Sequence, residues 1–265
     1  MSEAQKQYAD LITELAITNP KTALLLRMAQ EHREVKLRQY LNGVRFSGFE
    51  ELLEHLDVVH EKFSNQSELT KVSFLLKRSK GEFIIALEAL LSGYHTVAHD
   101  AMRAVMEIEF LFRDFSLDTT RIDEWLNADA KTLHEKFSPG ILRKRFANHV
   151  GKPPRDLGEA TDYKGHSMFL HVGPKQNPFG IADLTKNSNT FTVDSCFWEI
   201  FEHARRLLIA FHNLADVVDV GILSEYNPKN LERLAKAWVR TQEMQQIWQQ
   251  LIGYEIEESS SDNNA

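Results

Sequence analysis

A single cysteine, Cys196, stands in 265 residues, which excludes an intrachain disulfide and any cysteine-rich zinc site and suits a reducing cytosol. No apolar run approaches the ~20 residues that a membrane-spanning helix needs. The opening Met-Ser-Glu-Ala-Gln-Lys lacks the apolar core of a signal peptide. A cytoplasmic protein without a membrane partner is therefore expected. Period-two alternation is scarce, which argues against strands, and no internal repeat recurs at solenoid periods. The chain also lacks a glycine-rich nucleotide loop, a zinc signature and a nucleophile elbow.

Helical punctuation is plentiful, and an all-α helical bundle follows. Asn19-Pro20 reads as an N-cap with proline at the first helical position, and Asn42-Gly43 as a left-handed stop. Ser47 with Glu50, and Ser79 with Glu82, have capping-box spacing and predict two further helix starts. From Glu82 to Asp114 only Gly93 interrupts the pattern, which predicts one long central helix or two collinear ones bent at Gly93. Ser138-Pro139 opens a helix that stops at Gly151, and Pro153-Pro154 forces an extended connection. A helix from about residue 157 to 172 and a long polar loop are expected next. Asp194 or Ser195 then caps an apolar helix through Phe197, Ile200, Phe201 and Leu208. Asn227-Pro228 starts a last helix carrying Trp238 and Trp248, and an acidic tail from Glu255 has the composition of disorder. Four regions result: N-terminal helices over 1–78, a helical bundle over 79–222, a C-terminal helix over 223–254 and the tail over 255–265. Cys196 lies at the start of an apolar run and reads either as a buried structural thiol or as a reactive one.

Net charge is −7, which argues against indiscriminate binding to nucleic acid. The sum hides a local excess. Between Lys131 and Arg155 seven basic residues, among them Arg143, Lys144, Arg145 and Lys152, face Glu135 alone, so this stretch carries +6 and the remainder −13. It reads either as a solvated helix face or as a phosphate-binding patch.

Two constellations carry candidate chemistry. On the central helix His95, His99, Arg103 and Glu107 recur every four residues as a polar ladder. The ladder admits a structural network, a metal site using His95 and His99, or an anion site shared with a second constellation. That second constellation is Tyr163-Lys164-Gly165-His166-Ser-Met-Phe-Leu-His171. His166 and His171 are five apart, about 140° round a helix, so one unbroken helix cannot aim both at one ion. An imidazole here, beside Tyr163 and Lys164, can act as general acid or base on a phosphodiester while lysine stabilises charge. The alternative is a pair of capping or core histidines.

Three segments resemble the HEPN superfamily of bacterial toxin, antitoxin and phage-defence proteins: the helix with Ala101-Met-Arg103-Ala-Val-Met-Glu107, the Trp125 to Arg145 stretch with Phe137-Ser-Pro139, and Tyr163 to His171. The resemblance covers about residues 83–173. It implies a four-helix bundle, a dimer, and metal-independent RNA cleavage by an Arg and a His four to six residues later. His171 matches that terminal His, but residues 165–167 hold no Arg, so His166 or Lys164 would substitute. Neither reproduces arginine's planar, permanent charge. The resemblance assigns His171, His166, Lys164 and Tyr163 to catalysis, with Arg103, Glu107 and His99 in support, and no cofactor or metal. Two other classes stay open: an inactive interaction module acting through a protein partner by Trp238 or Trp248, and a metal-dependent helical enzyme.

Overall fold

The computed structural model describes residues 3–153, 190–219, 221–224 and 231–261, and these residues form helices joined by turns, with no strand among them. The fold is all-α. Eight helices precede residue 153: α1 (Glu3–Thr18), α2 (Pro20–Tyr40), α3 (Val44–Ser64), α4 (Ser73–Leu91), α5 (His95–Leu117), α6 (Thr120–Leu126), α7 (Ala130–Phe137) and α8 (Pro139–His149). A short 3-10 helix at Leu69–Val72 leads into α4. Two longer helices follow, α9 (Thr190–Val218) and α10 (Glu232–Ser261). No helix among the described residues is long and apolar enough to cross a membrane.

Local signals act where backbone chemistry alone decides. Pro20 and Pro139 sit in the first turns of α2 and α8, where the missing N–H costs nothing. After α8, Gly151 adopts φ 67° while the Gly151 and Lys152 N–H groups donate to the Asn148 and Ala147 carbonyls, a Schellman stop. Gly93 does the same for α4, with φ 83° and with the Gly93 and Tyr94 N–H groups donating to Leu90 and Ala89. This corrects the expectation of one long or two collinear helices. The left-handed turn at Gly93 folds α5 back along α4, and the two pack along their length.

Other expected boundaries shift for identifiable reasons. Ser47 and Ser79 are interior to α3 and α4, because their hydroxyls donate to the Val44 and Leu75 carbonyls rather than capping a start. Gly43 has φ −89° and precedes α3, so it is not a left-handed stop. Asp194 and Ser195 lie inside α9, which begins at Thr190. The last helix begins at Glu232 rather than Asn227-Pro228, and it runs to Ser261, into the stretch expected to be a disordered tail, where Glu255, Glu257 and Glu258 are good helix formers.

The bundle's directions follow from its contacts. Arg45 meets Asp194 and His55 meets His212, so α3 and α9 run the same way. Cys196 lies by His95 and His99, Arg206 by Glu109 and Phe211 by Phe112, so α5 and α9 are also parallel. Between α3 and α5, α4 returns in the opposite sense. The core between them is aromatic: Phe63, Phe112 and Phe211, all fully buried, interlock edge to face with centroids 6.2 to 6.4 Å apart.

A close crossing seats α10 across α3 and α9. A Cβ on Gly48 would come within 2.4 Å of the Ala237 Cβ, so glycine lets the two backbones approach. Glu51 of α3 accepts from the Leu234 N–H at 2.7 Å, satisfying an orphan donor at the start of α10, and Arg233 pairs with Glu51 and Glu54. Trp238 packs on the bundle, its indole N–H donating to Glu202 at 2.8 Å and its ring under Arg205. The side chain of Trp248 lies outside the described residues.

Candidate functional site

Because α3, α5 and α9 are parallel, their N-termini gather at one end of the bundle. Each directs the positive end of its dipole there, and the first N–H groups of a helix have no partner within it. Neither Gly43 before α3 nor Tyr94 before α5 supplies a side-chain cap. The second half of α2 lies against this end and brings His32, Arg33, Lys36 and Tyr40. The ring of His32, through Nδ1–H, donates to the Leu91 carbonyl at 2.7 Å, closing the last turn of α4. Arg33 donates to Ser92 Oγ at 2.8 Å and pairs with Glu88 at 2.5 Å.

Beneath that surface the groups are buried. Arg45 pairs with Asp194 at 2.6 Å and lies over the rings of Tyr40 and Phe197, at 4.8 and 5.4 Å. Tyr40 donates to the same carboxylate at 3.4 Å, and burial, reinforced by Asp194, pushes its phenol up from the ordinary value. Burial lowers the Lys36 ammonium, opposed by the Asp194 charge. His95 is pushed down to about 4, first by burial and then by the electrostatic effect of His32, His99 and Lys36. It is neutral at physiological pH. Basic and imidazole groups outnumber acids at this end, which suits an anion.

The ladder on α5 divides in two. His95 and His99 are buried, and each approaches Cys196 Sγ at 3.7 Å, through Nδ1 and Nε2 respectively. Burial pushes the Cys196 thiol up, with Glu199 adding to it, so the thiolate nucleophile is suppressed and the cysteine fits the structural reading. Arg103 and Glu107 instead pair with each other at 3.4 Å. Glu107 and Arg78 line a groove of about 330 Å³ with Phe74, Trp125, Leu133 and Phe137. The two halves are therefore separate places, their midpoints about 12 Å apart along the helix at 1.5 Å per residue. Among the described residues no group of three or more His, Cys, Asp or Glu is arranged to hold a metal ion.

The basic stretch is only partly free to meet a ligand. Arg145 donates to both oxygens of Asp114, at 2.6 and 2.5 Å, and to the Lys136 carbonyl, while Arg121 holds the same carboxylate at 2.7 Å. Asp114 is 2 % exposed, so this is an internal clamp between α5 and α8. Arg143 donates to the Pro139 carbonyl and lies 5.9 Å from the Phe110 ring centroid. Lys144 and Lys152 are exposed. Tyr163, Lys164, His166 and His171 lie outside the described residues.

Sequence reasoning missed His32, Lys36, Tyr40 and Arg45. A signal was present: His32, Lys36 and Tyr40 recur at i, i+4 and i+8, one stripe of α2 aimed at the bundle. A second buried imidazole pair was also missed. His55 and His212 stack at 5.3 Å with Nε2 atoms 3.1 Å apart, so one ring donates to the other. Burial takes both down to about 4; their mutual charge adds to this at His55, and Asp216 opposes it at His212. Their partners lie 157 residues apart in the chain, beyond the reach of a spacing argument. No family model, curated protein or solved structure matches this chain.

Proposed function

We propose that the protein acts on RNA or a nucleotide, holding phosphate at the bundle end where α3, α5 and α9 begin. The observation that carries this reading is the gathering of three parallel helix N-termini with His32, Arg33, Lys36, Arg45 and His95 at one end. Helix N-termini and cationic side chains together form the usual physical basis of a phosphate site. The chain carrying Tyr163 to His171 re-enters the described structure at Thr190, at this same end.

In this reading His171 serves as general acid or base on the phosphodiester, His166 or Lys164 stabilises the developing charge, and Tyr163 positions the group. Exposed Lys144 lies on α8, beside the C-terminal half of α5 where Arg145 meets Asp114, so it is remote from this end and no part of the phosphate site. The setting that goes with it is bacterial defence or toxin control, as the sequence resemblance implies.

Incubation of a mixed RNA pool with purified protein in EDTA tests the proposal. Cleavage by the wild type and none by His171→Ala, with melting temperatures within a few degrees, is the expected result. Absence of cleavage by both, together with absence of salt-sensitive RNA or nucleotide binding, would overturn it.

A further inference from the structure

Helices α4 to α8 enclose the groove that Arg78 and Glu107 border, and its walls are fixed before anything binds. Asp114 of α5 holds Arg121 of α6 and Arg145 of α8, while Lys136 of α7 pairs with Glu124 of α6. Phe74 of α4 stacks on Trp125 of α6, with 9° between the rings and centroids 6.1 Å apart. A ligand entering a preformed site loses little to ordering it. Ile108, Phe137 and Leu142 line the groove and are buried, whereas Phe74, at 48 % exposure, and Leu133, at 38 %, leave ring and methyl surface in water. Small-molecule sites run from about 300 Å³ upward, so a groove of about 330 Å³ takes a body of one or two rings.

Charge decides which small molecule fits. Glu107 is engaged by Arg103 at 3.4 Å. Arg78 has Glu82 at 3.6 Å, beyond hydrogen-bond reach, and its guanidinium donates no hydrogen bond among the described residues. With its side chain 62 % exposed, the planar fork is available to a carboxylate. The N-terminal ends of α4 and α8 also border the groove, at Phe74 and Pro139, and neither helix has a side-chain cap. Both dipoles add positive potential there. An aromatic wall beside an unengaged guanidinium matches a flat apolar body with an anionic head.

We infer that the groove bounded by α4 to α8 is a binding site for a small aromatic carboxylate, with the ring against Phe74, Trp125 and Phe137 and the carboxylate on Arg78. The site lies at the opposite end of α4 from the cationic cluster, and the inference stands apart from the RNA reading.

Isothermal titration calorimetry of the full chain with naphthylacetate, naphthylethanol and naphthylethylamine tests it, since these probes share a ring and differ in charge. The acid should bind about tenfold more tightly than the alcohol, and the amine most weakly. Arg78→Met removes no hydrogen bond from the fold; it should bring the acid down to the alcohol's affinity and leave the alcohol unchanged. Ala104→Leu places extra methyl groups in the groove and should abolish binding of both, with helical circular dichroism unchanged. The assignment would be overturned by an acid that does not bind, by an acid no tighter than the alcohol or the amine, or by Arg78→Met binding the acid as wild type does. Full binding by a folded Ala104→Leu protein would place the ligand elsewhere and overturn it equally.

Discussion

Asp114 shows how much one side chain can carry. It lies at 2 % exposure near the end of α5 and receives Arg121 and Arg145, which ties α5 to α8. Removing it leaves Arg145 with no counter-charge, and Arg121 with Asp118 alone, in a site three-quarters shielded from water. Asp114→Ala should lower the unfolding free energy by about 3 kcal/mol in urea titration. Asp114→Asn, which retains an acceptor, should fall between. Equal stability of all three would show that the clamp is surface decoration. The histidines define a pH limit. His55, His95 and His212 all sit near 4 when folded, against an ordinary 6.5. As pH falls below about 6.5 the unfolded chain takes up protons that the folded one refuses, so stability is full above that pH and is lost as pH drops through about 4. At pH 5 the loss should be about 2 kcal/mol per histidine. Urea unfolding at pH 7 and pH 5 should show it, and His55→Leu with His212→Leu should flatten the drop; an unaltered slope in that variant would refute the buried pair's role.

Elements were legible in the sequence where the deciding chemistry is local. Pro20, Pro139 and Gly151 act through φ and a missing or redirected N–H, so their neighbours are enough to read them. Gly93 was visible as an interruption, but whether the chain bends or reverses there depends on the face α5 must bury. Ser47 and Ser79 had the spacing of caps and spend their hydroxyls on the preceding turn instead. At the candidate site the residues of α5 were found because they share one helix, and His32, Tyr40 and Arg45 were not, because they reach His95 and Asp194 only through the tertiary fold. Gly48 belongs to this scale too. Within a helix alanine ordinarily gains about 1 kcal/mol over glycine. Here the added methyl meets Ala237 at 2.4 Å and the Arg233 carbonyl at 2.9 Å, so Gly48→Ala should instead cost about 2 kcal/mol and loosen α10. Limited proteolysis, with cleavage in α10 preceding global unfolding, reads this directly; a Gly48→Ala protein that gains stability would place the crossing elsewhere.

Across the whole molecule the polar groups are distributed by burial. One end of the bundle collects helix N-termini and cations, the middle is aromatic, and α1 packs on α2, whose second half closes the cationic end. The parallel pairing of α5 with α9 also has a temporal meaning. Cys196 meets His95 across 101 residues and His99 across 97, so the most extensive helix pairing among the described residues joins distant parts of the chain. The run from α3 to α5 folds back on itself through short turns and can assemble early, whereas α9 must wait for a long closure. During that interval Phe63 and Phe112 face water where Phe211 will later sit, and the newly made chain is then most vulnerable to aggregation and most in need of a chaperone.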